Sequence, residues 1–405
     1  MINKSWKKAP LSELLELNES GTWGDEGDSN DFPVLRSSNI HEGRLVLDDV
    51  AYRKISEKIA ERYKLEDGDI LVTKSSGSSH LIGKSCLFLN PDNKIYLFSN
   101  FTQRLRTKKE TFDSQFLYYF LNSPIAKTTL KKISNTTSGL RNLSMKDYAR
   151  QLIPLPPLFI QQQIAAILEK ADAARGKRRQ ANQLTEQFLQ SAFLEMFGDP
   201  ATNPKGWEIK QLAELAHEIH PGSTPKEELN AFADEGIIFL RSENILNKKV
   251  KISENQRYIK VQLYDDFPRL QVKNEDVLIN IIGASIGRCA VFDGNLGRAL
   301  LNQNICLIRC NNNLFPNYLC NYFLTDYCQG FFKGTGRGGA QYALNAKILA
   351  DLKVPYPSLS EQQKFAALVE KVESLRARQR QSEQELEHLF HSLMQRAFRG
   401  ELVRE

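Results

Sequence analysis

Four stretches of this chain carry residue types that could do chemistry. Residues 77–85 read GSSHLIGKS, close to the phosphate-binding loop in which glycine-rich backbone N–H groups and a lysine cradle phosphates. The glycine comes one residue too early, Ser78 takes its place, and the strand-like run Cys86-Leu87-Phe88-Leu89 follows where a helix is needed. Residues 334–339, GTGRGG, fit the dinucleotide spacing, but the helix-like run 321–332 precedes them where a strand is required. Asp199 with Glu208 and Lys210 has the makeup of a nuclease site, yet the matching stretch at Trp6, Lys7 and Lys8 lacks the acid. His217 and His220, and His388 and His391, stand three apart; solvated helix faces account for them better than a zinc site. No NPPY-like methyltransferase motif occurs. These residues point to a chain without catalytic chemistry of its own.

Polar, glycine-bearing loops do recur at matching places in the two halves. Lys74, Ser75, Ser76, Ser78, Ser79 and His80, with Lys84 beyond them, correspond to a stretch holding Asn280, Ser285 and Arg288. Residues 134–142 (SNTTSGLRN), with Arg141 and Asn142, correspond to 334–342 (GTGRGGAQY), with Arg337, Gln341 and Tyr342. Arg36, Ser37 and Asn39 correspond to Arg241, Ser242 and Asn244. Glycine lets backbone N–H groups approach phosphates, serine and threonine hydroxyls bond phosphate oxygens, and Arg, Asn and Gln can pair with base edges. Any one loop is equally well an ordinary hydrophilic turn, and Arg36 and Arg241 could be framework ion-pair residues. Repetition makes the set a candidate DNA surface.

The elements that position these loops also come twice. Trp6 is echoed by Trp207, Gly21-Thr22 by Gly222-Ser223, Asp69-Ile70-Leu71-Val72 by Asp276-Val277-Leu278-Ile279, and Tyr118–Leu121 by Asn321–Leu324. Between them run two proline-free stretches related by a constant offset of 201, in which Gln161 and Gln162 meet Gln362 and Gln363, and Phe197 meets Phe398. The second copy shows a stripe at Phe365, Leu368, Val372, Leu375, Gln379, Ser382, Leu386, Leu389 and Leu393, the stepping of a coiled-coil seam. Two equal helices that pair after alternating with two globular halves must run antiparallel. The expected shape is a dumbbell with a stiff bar.

Composition sets bounds on function. Fifty-four basic residues against 48 acidic ones leave a net charge of +6, which permits a polyanionic partner without requiring one. The six cysteines form no CxxC pair, so buried reduced thiols are expected. Neither a signal peptide nor a membrane-length apolar run is visible, and a cytoplasmic protein is expected.

With Ile153-Pro154-Leu155-Pro156-Pro157, Val354-Pro355-Tyr356-Pro357 and Glu361-Gln362-Gln363 each leading into a long helix, the chain resembles the specificity subunit of type I restriction–modification systems. The resemblance covers essentially the whole chain. One departure is Ile160, where the family usually has the glutamate seen at Glu361. The resemblance implies an α/β fold with two target-recognition domains, at 1–157 and 199–358, and two conserved helices, at 158–198 and 359–405 with its tail. It implies a bipartite double-stranded DNA target, two methyltransferase subunits and restriction/translocase subunits as partners, with Gln161, Gln162, Gln362 and Gln363 as partner contacts. S-adenosylmethionine, ATP and magnesium would belong to those partners. A fused methyltransferase or nuclease is the alternative enzyme reading, which the missing catalytic motif disfavours. A protein-binding scaffold is another.

Overall fold

The computed structural model describes residues 6–41, 43–76, 81–137, 140–225, 231–334 and 344–403, with backbone alone at 131–137 and 140–141. The chain divides into two compact units, Met1–Arg179 with Gln381–Glu405, and Gln180–Arg380. Each long helix therefore contributes one part to each unit.

The two units share one α/β design. In the first, an antiparallel sheet has the order Ser85–Leu87, Ile70–Thr73, Thr102–Thr107, Leu15–Ser20. The second unit repeats it as Cys289–Val291, Val277–Asn280, Ile305–Cys310, Ala216–Pro221. A second sheet in each unit holds one parallel pair, Phe32–Leu35 with Leu97–Phe98 and Ile237–Leu240 with Ala299–Leu301.

Strands Ile70–Thr73 and Val277–Asn280 each open with three consecutive apolar residues because they are covered on both faces. Successive side chains of a strand point to opposite sides. Ile70 and Val72 accordingly join a core with Phe116 and Ile164, while Leu71 joins another with Leu35 and Phe98. In the second unit Val277 and Ile279 face Tyr318 and Phe365, and Leu278 faces Leu240 and Phe292. The echoed glycines sit where the two sheets meet. A Cβ on Gly21 would lie 2.0 Å from the Phe98 carbonyl oxygen, and one on Gly222 would lie 2.3 Å from that of Asn302. No other residue fits there.

The long helices span Leu158–Phe197 and Leu359–Phe398, forty residues each, or about 60 Å at 1.5 Å per residue. Within the second unit Thr185 bonds Gln379, Glu186 pairs with Arg376, and Phe197 packs on Phe365. Numbers rise on one helix as they fall on the other, so the pair is antiparallel. In the first unit Arg175 pairs with Glu387.

The seam differs from the expected stripe by one residue at alternate positions. The buried positions are Phe365, Val369, Val372, Arg376, Gln379, Phe390, Met394 and Ala397, whereas Leu375 and Leu389 are about half exposed, at 47% and 50%. The stripe followed the leucines. The true seam takes in Arg376 and Gln379, whose partners lie across it, and leaves a second apolar row on the open side. A similar slip affects the short helices. Phe116 packs on Phe398 as Tyr318 packs on Phe197, so Ser114–Leu121 corresponds to Pro316–Phe323, and Tyr118 matches Cys320 rather than Asn321.

Candidate nucleic-acid interface

The two polar loops of the first half are brought together. Strands Ser134–Thr137 and Leu140–Leu143 form a hairpin whose outer edge takes up Ser75–Ser76, with Arg141 opposite Ser76 and Asn142 opposite Ser75. The Ser75 hydroxyl lies 2.6 Å from Asn142 Oδ1, and the Leu143 N–H donates to the Lys74 carbonyl at 2.8 Å. The second unit makes the same join: Leu344 N–H donates to the Ile281 carbonyl, also at 2.8 Å. Sequence distance of about 65 residues thus closes to hydrogen-bond contact in both units.

Around this join the charge is held ready. Lys74 Nζ donates to Ser20 Oγ at 2.6 Å, and burial holds its ammonium below the usual lysine range. Lys84 is half-buried, Asn142 and Arg288 are exposed, and Ser285 is half-buried. Phe101 lies beside them with half its surface exposed; its carbonyl accepts from the Lys74 and Ser75 N–H groups at 3.0 and 3.4 Å. Nothing in the local sequence signals Phe101 or Ser20, since both reach the site through tertiary pairing. Ser78, Ser79, His80, Arg337, Gln341 and Tyr342 lie outside the described residues, as does the side chain of Arg141.

Several expected contact residues belong instead to the framework. Asn39 and Asn244 are 2% and 1% exposed. Each accepts from the N–H of Arg36 or Arg241 at 2.8 Å and donates to the carbonyl of Val46 or Lys251 at 2.9 Å. Both amides are spent on holding a turn. Arg36 donates to the Asp49 carboxylate at 2.8 Å and Arg241 pairs with Glu243, while Ser37 and Ser242 are half-buried beside them. Asn280 is fully buried and donates to the Ser242 carbonyl and Ser285 Oγ. A base edge cannot reach these amides.

Buried ion pairs stiffen the platform. Asp69 and Asp276 are essentially inaccessible; each accepts two hydrogen bonds from a single guanidinium, Arg106 at 2.7 and 2.8 Å and Arg309 at 2.9 and 2.8 Å. Those carboxylates hold both guanidiniums above the usual arginine range. This explains why an aspartate opens both apolar runs.

The glutamine pairs also divide. Gln161 and Gln362 are fully buried. Gln161 accepts from Asp113 N–H at 2.9 Å and donates to the Pro156 carbonyl at 2.8 Å, and Gln362 does the same with Phe315 and Pro357, at 2.9 Å each. They clamp each long helix to its unit, so they are not partner contacts. Gln162 and Gln363 are exposed. Ile160, the departure from the usual glutamate, is fully buried in the core.

Of the remaining chemical candidates, residues 77–80 and 335–339 lie outside the described residues. His217 and His220 fall on the strand Ala216–Pro221, not a helix, and His220 Nε2 lies 3.3 Å from Glu218. No group of three or more His, Cys, Asp or Glu fit to hold a metal occurs among the described residues. All six thiols are free, and burial pushes those of Cys86, Cys306 and Cys310 up to about 12. No helix of the described residues is long and apolar enough to cross a membrane.

Residues 3–186 and 204–388 each match the Type I restriction modification DNA specificity domain. The chain is 23% identical to a putative type I restriction enzyme specificity subunit of Methanocaldococcus jannaschii, over 99% of this chain and 94% of that one. It is also 23% identical to a type I restriction enzyme specificity subunit of Salmonella potsdam, over 99% and 90%. The crystal structure of a type I restriction–modification S subunit from M. genitalium has the same fold, with a TM-score of 0.59 at 15% identity, covering 98% of this chain and 96% of that one.

Proposed function

The chain belongs to the type I restriction–modification DNA specificity family, and we propose that each unit reads one half of a bipartite duplex target around an unread spacer. As a specificity subunit it supplies recognition, and the catalytic steps lie on partner subunits.

The observation that carries the proposal is the repeated join between two polar loops. A two-stranded ribbon fits the major groove, which is about 12 Å wide. On the first unit Lys74 and Lys84 are suited to phosphates, and Ser75, Ser76 and Asn142 to base edges or sugar oxygens. Ser285 and Arg288 occupy the matching place on the second. Ser78, Ser79, His80 and Arg141 in the first unit, and Arg337, Gln341 and Tyr342 in the second, belong to the same loops. The partners we assign are two methyltransferase subunits, with restriction/translocase subunits joining them. The methyltransferases would dock on open helix faces that carry Gln162, Gln363 and the exposed Leu184, Phe188, Leu375 and Leu389. S-adenosylmethionine, ATP and magnesium are assigned to those partners, and the complex to the cytoplasm.

Selection from a randomised duplex library, with the assembled complex, tests this. Asn142→Ala should relax one position of one half-site and Arg288→Ala one position of the other, each at about 1–3 kcal/mol. A phosphate contact would instead weaken all sequences alike and lower the salt dependence. If both substitutions altered the same half-site, or neither altered binding, the loops would not be the readers.

A further inference from the structure

The two units share one turn and fill it with different chemistry. Residues 99–102 lead into the strand Thr102–Thr107, and residues 302–305 lead into Ile305–Cys310 in the same way. Thr102 pairs with Thr73 and Ile305 with Asn280, so one step further out Phe101 stands opposite Lys74 and Asn304 opposite Ile281. The backbone bonds coincide. The Phe101 carbonyl accepts from the Lys74 N–H at 3.0 Å, and the Asn304 carbonyl from the Ile281 N–H at 2.9 Å. The first unit places a phenyl ring here and the second an amide.

The main chain around Phe101 is fixed on both sides. The Thr102 N–H donates to the Ser99 carbonyl at 3.0 Å and the Thr102 hydroxyl to the same oxygen at 2.8 Å. The Asn100 carbonyl accepts from Ser20 Oγ at 3.2 Å. From this rigid turn the Phe101 residue keeps 51% of its surface in water. Residues opposite each other across an antiparallel pair share a face, so the ring stands beside the Lys74 side chain, whose ammonium bonds Ser20 Oγ at 2.6 Å. Ser75 follows, and its hydroxyl meets Asn142. In the second unit Ile281 is buried at the place of Lys74, and Asn304 is half-buried.

An intact duplex hides the faces of its bases in the stack. Its major-groove edges present hydrogen-bonding groups and one apolar substituent, the C5-methyl of thymine. A phenyl ring cannot bond the former but can bury the latter, which is worth about a fourfold change in affinity for one methyl group. A wedge driven between base pairs belongs to the minor groove and kinks the duplex, whereas a two-stranded ribbon enters the major groove.

We propose that Phe101 reads the methyl group of one thymine in the half-site bound by the first unit, and that Asn304 makes no such contact in the other. The proposal rests on the reading of each unit as the reader of one half-site. It adds to the polar contacts a residue that selects thymine without a hydrogen bond.

The experiment uses the full chain assembled with its modification subunits, and duplexes in which deoxyuridine replaces each thymine of the target in turn. That replacement removes the methyl group and leaves the pairing edge intact. In the half-site that Asn142→Ala relaxes, one replacement should weaken binding about fourfold. Phe101→Ala should weaken binding to the thymine duplex by about the same factor, and should bind the thymine and deoxyuridine duplexes equally at that position. Every position of the other half-site should be unchanged. Phe101→Asn, which copies the second unit, should behave like the alanine variant and carries the test if that variant does not fold. Deoxyuridine replacements without effect in that half-site, or Phe101 variants as sensitive to them as the parent, would overturn the proposal. So would equal weakening of all duplexes with loss of a bend, the mark of a wedge. A parent chain that binds no duplex specifically would instead refute the underlying reading, and the proposal with it.

Discussion

Replacing Gln161 by Leu separates a structural clamp from a partner contact. Leucine keeps the volume of the buried side chain but removes both of its polar ends. The Asp113 N–H loses its 2.9 Å acceptor and the Pro156 carbonyl its 2.8 Å donor, and neither is replaced by water because Gln161 is fully buried. Each orphaned backbone group costs about 1–3 kcal/mol. With two such groups and some relaxation of the helix start, the sum should be about 2–4 kcal/mol. For a unit of this size each kcal/mol shifts the midpoint by about 2–4 °C, so the first unit should melt about 5–15 °C lower. Hydrogen exchange followed by mass spectrometry places the effect: protection should fall over residues 111–121 and stay constant over 313–323. Gln162→Leu, on the exposed face, should move the melt by no more than about 0.5 kcal/mol. If Gln161→Leu left stability untouched and weakened binding of the modification subunit, the glutamine would be a contact and the clamp interpretation would fail.

Two further outcomes follow from the packing. Burial pushes the Glu387 carboxyl up, but hydrogen bonds and charge from Arg175 and Arg179 outweigh it and hold the group below its ordinary value of 4.5. A depressed folded value stabilises above pH 4.5 and loses its effect as pH falls through it, so Glu387→Gln should be less stable than the parent at pH 7, and the gap should narrow as the pH is lowered below 4.5, measured by urea denaturation; a constant gap would refute the pairing. Gly21→Ala should cost its unit about 1–3 kcal/mol or more through the clash with the Phe98 carbonyl, whereas Gly330→Ala, in a helix with nothing within 4 Å of the added carbon, should stabilise by up to about 1 kcal/mol. Calorimetry distinguishes the signs.

Much of this molecule was legible in the sequence, for a physical reason. Helix length and strand position are local properties, and a constant offset of 201 reports them without knowledge of any contact. The two equal long helices emerged that way, while the paired strands at Ile70 and Val277 emerged from matching β-branched runs and the reduced thiols from the lack of a CxxC pair. What failed was every choice between two residues of similar local character. Leucine at 375 and 389 reads as seam, yet Arg376 and Phe390 hold it, because an arginine with acids at positions 186 and 373 can be buried more cheaply than composition suggests. Asn39 and Asn244 read as base-reading amides, yet a backbone turn consumes them. Gln161 and Gln162 are indistinguishable by type, and only the tertiary fold turns one inward.

The polar centre of the seam is the feature that most needs a physical account. Arg175 bonds Glu387 on the other helix at 2.6 and 2.9 Å and Asp172 on its own at 2.8 Å. Arg376 pairs with Glu186 at 2.7 Å and with Glu373. All three members of one cluster map onto the other by the same offset of 201, so each unit carries its own copy. Burying such charges gains little stability, because desolvation offsets most of the attraction. An apolar seam of heptads could, however, slide by seven residues and still match knobs to holes. A charged layer resists this: moving Arg376 by one heptad would separate it from Glu186 and leave it only Glu373 on its own helix. Large aromatic anchors act at the opposite end of each segment, where Phe398 sits between Phe116 and Phe120, and Phe197 against Tyr318 and Phe365. Register is thereby fixed twice within each unit, once by charge and once by shape. A specificity subunit gains from that redundancy, because a slip of one heptad would carry a recognition domain about 10 Å along the helix axis, roughly three base pairs of duplex.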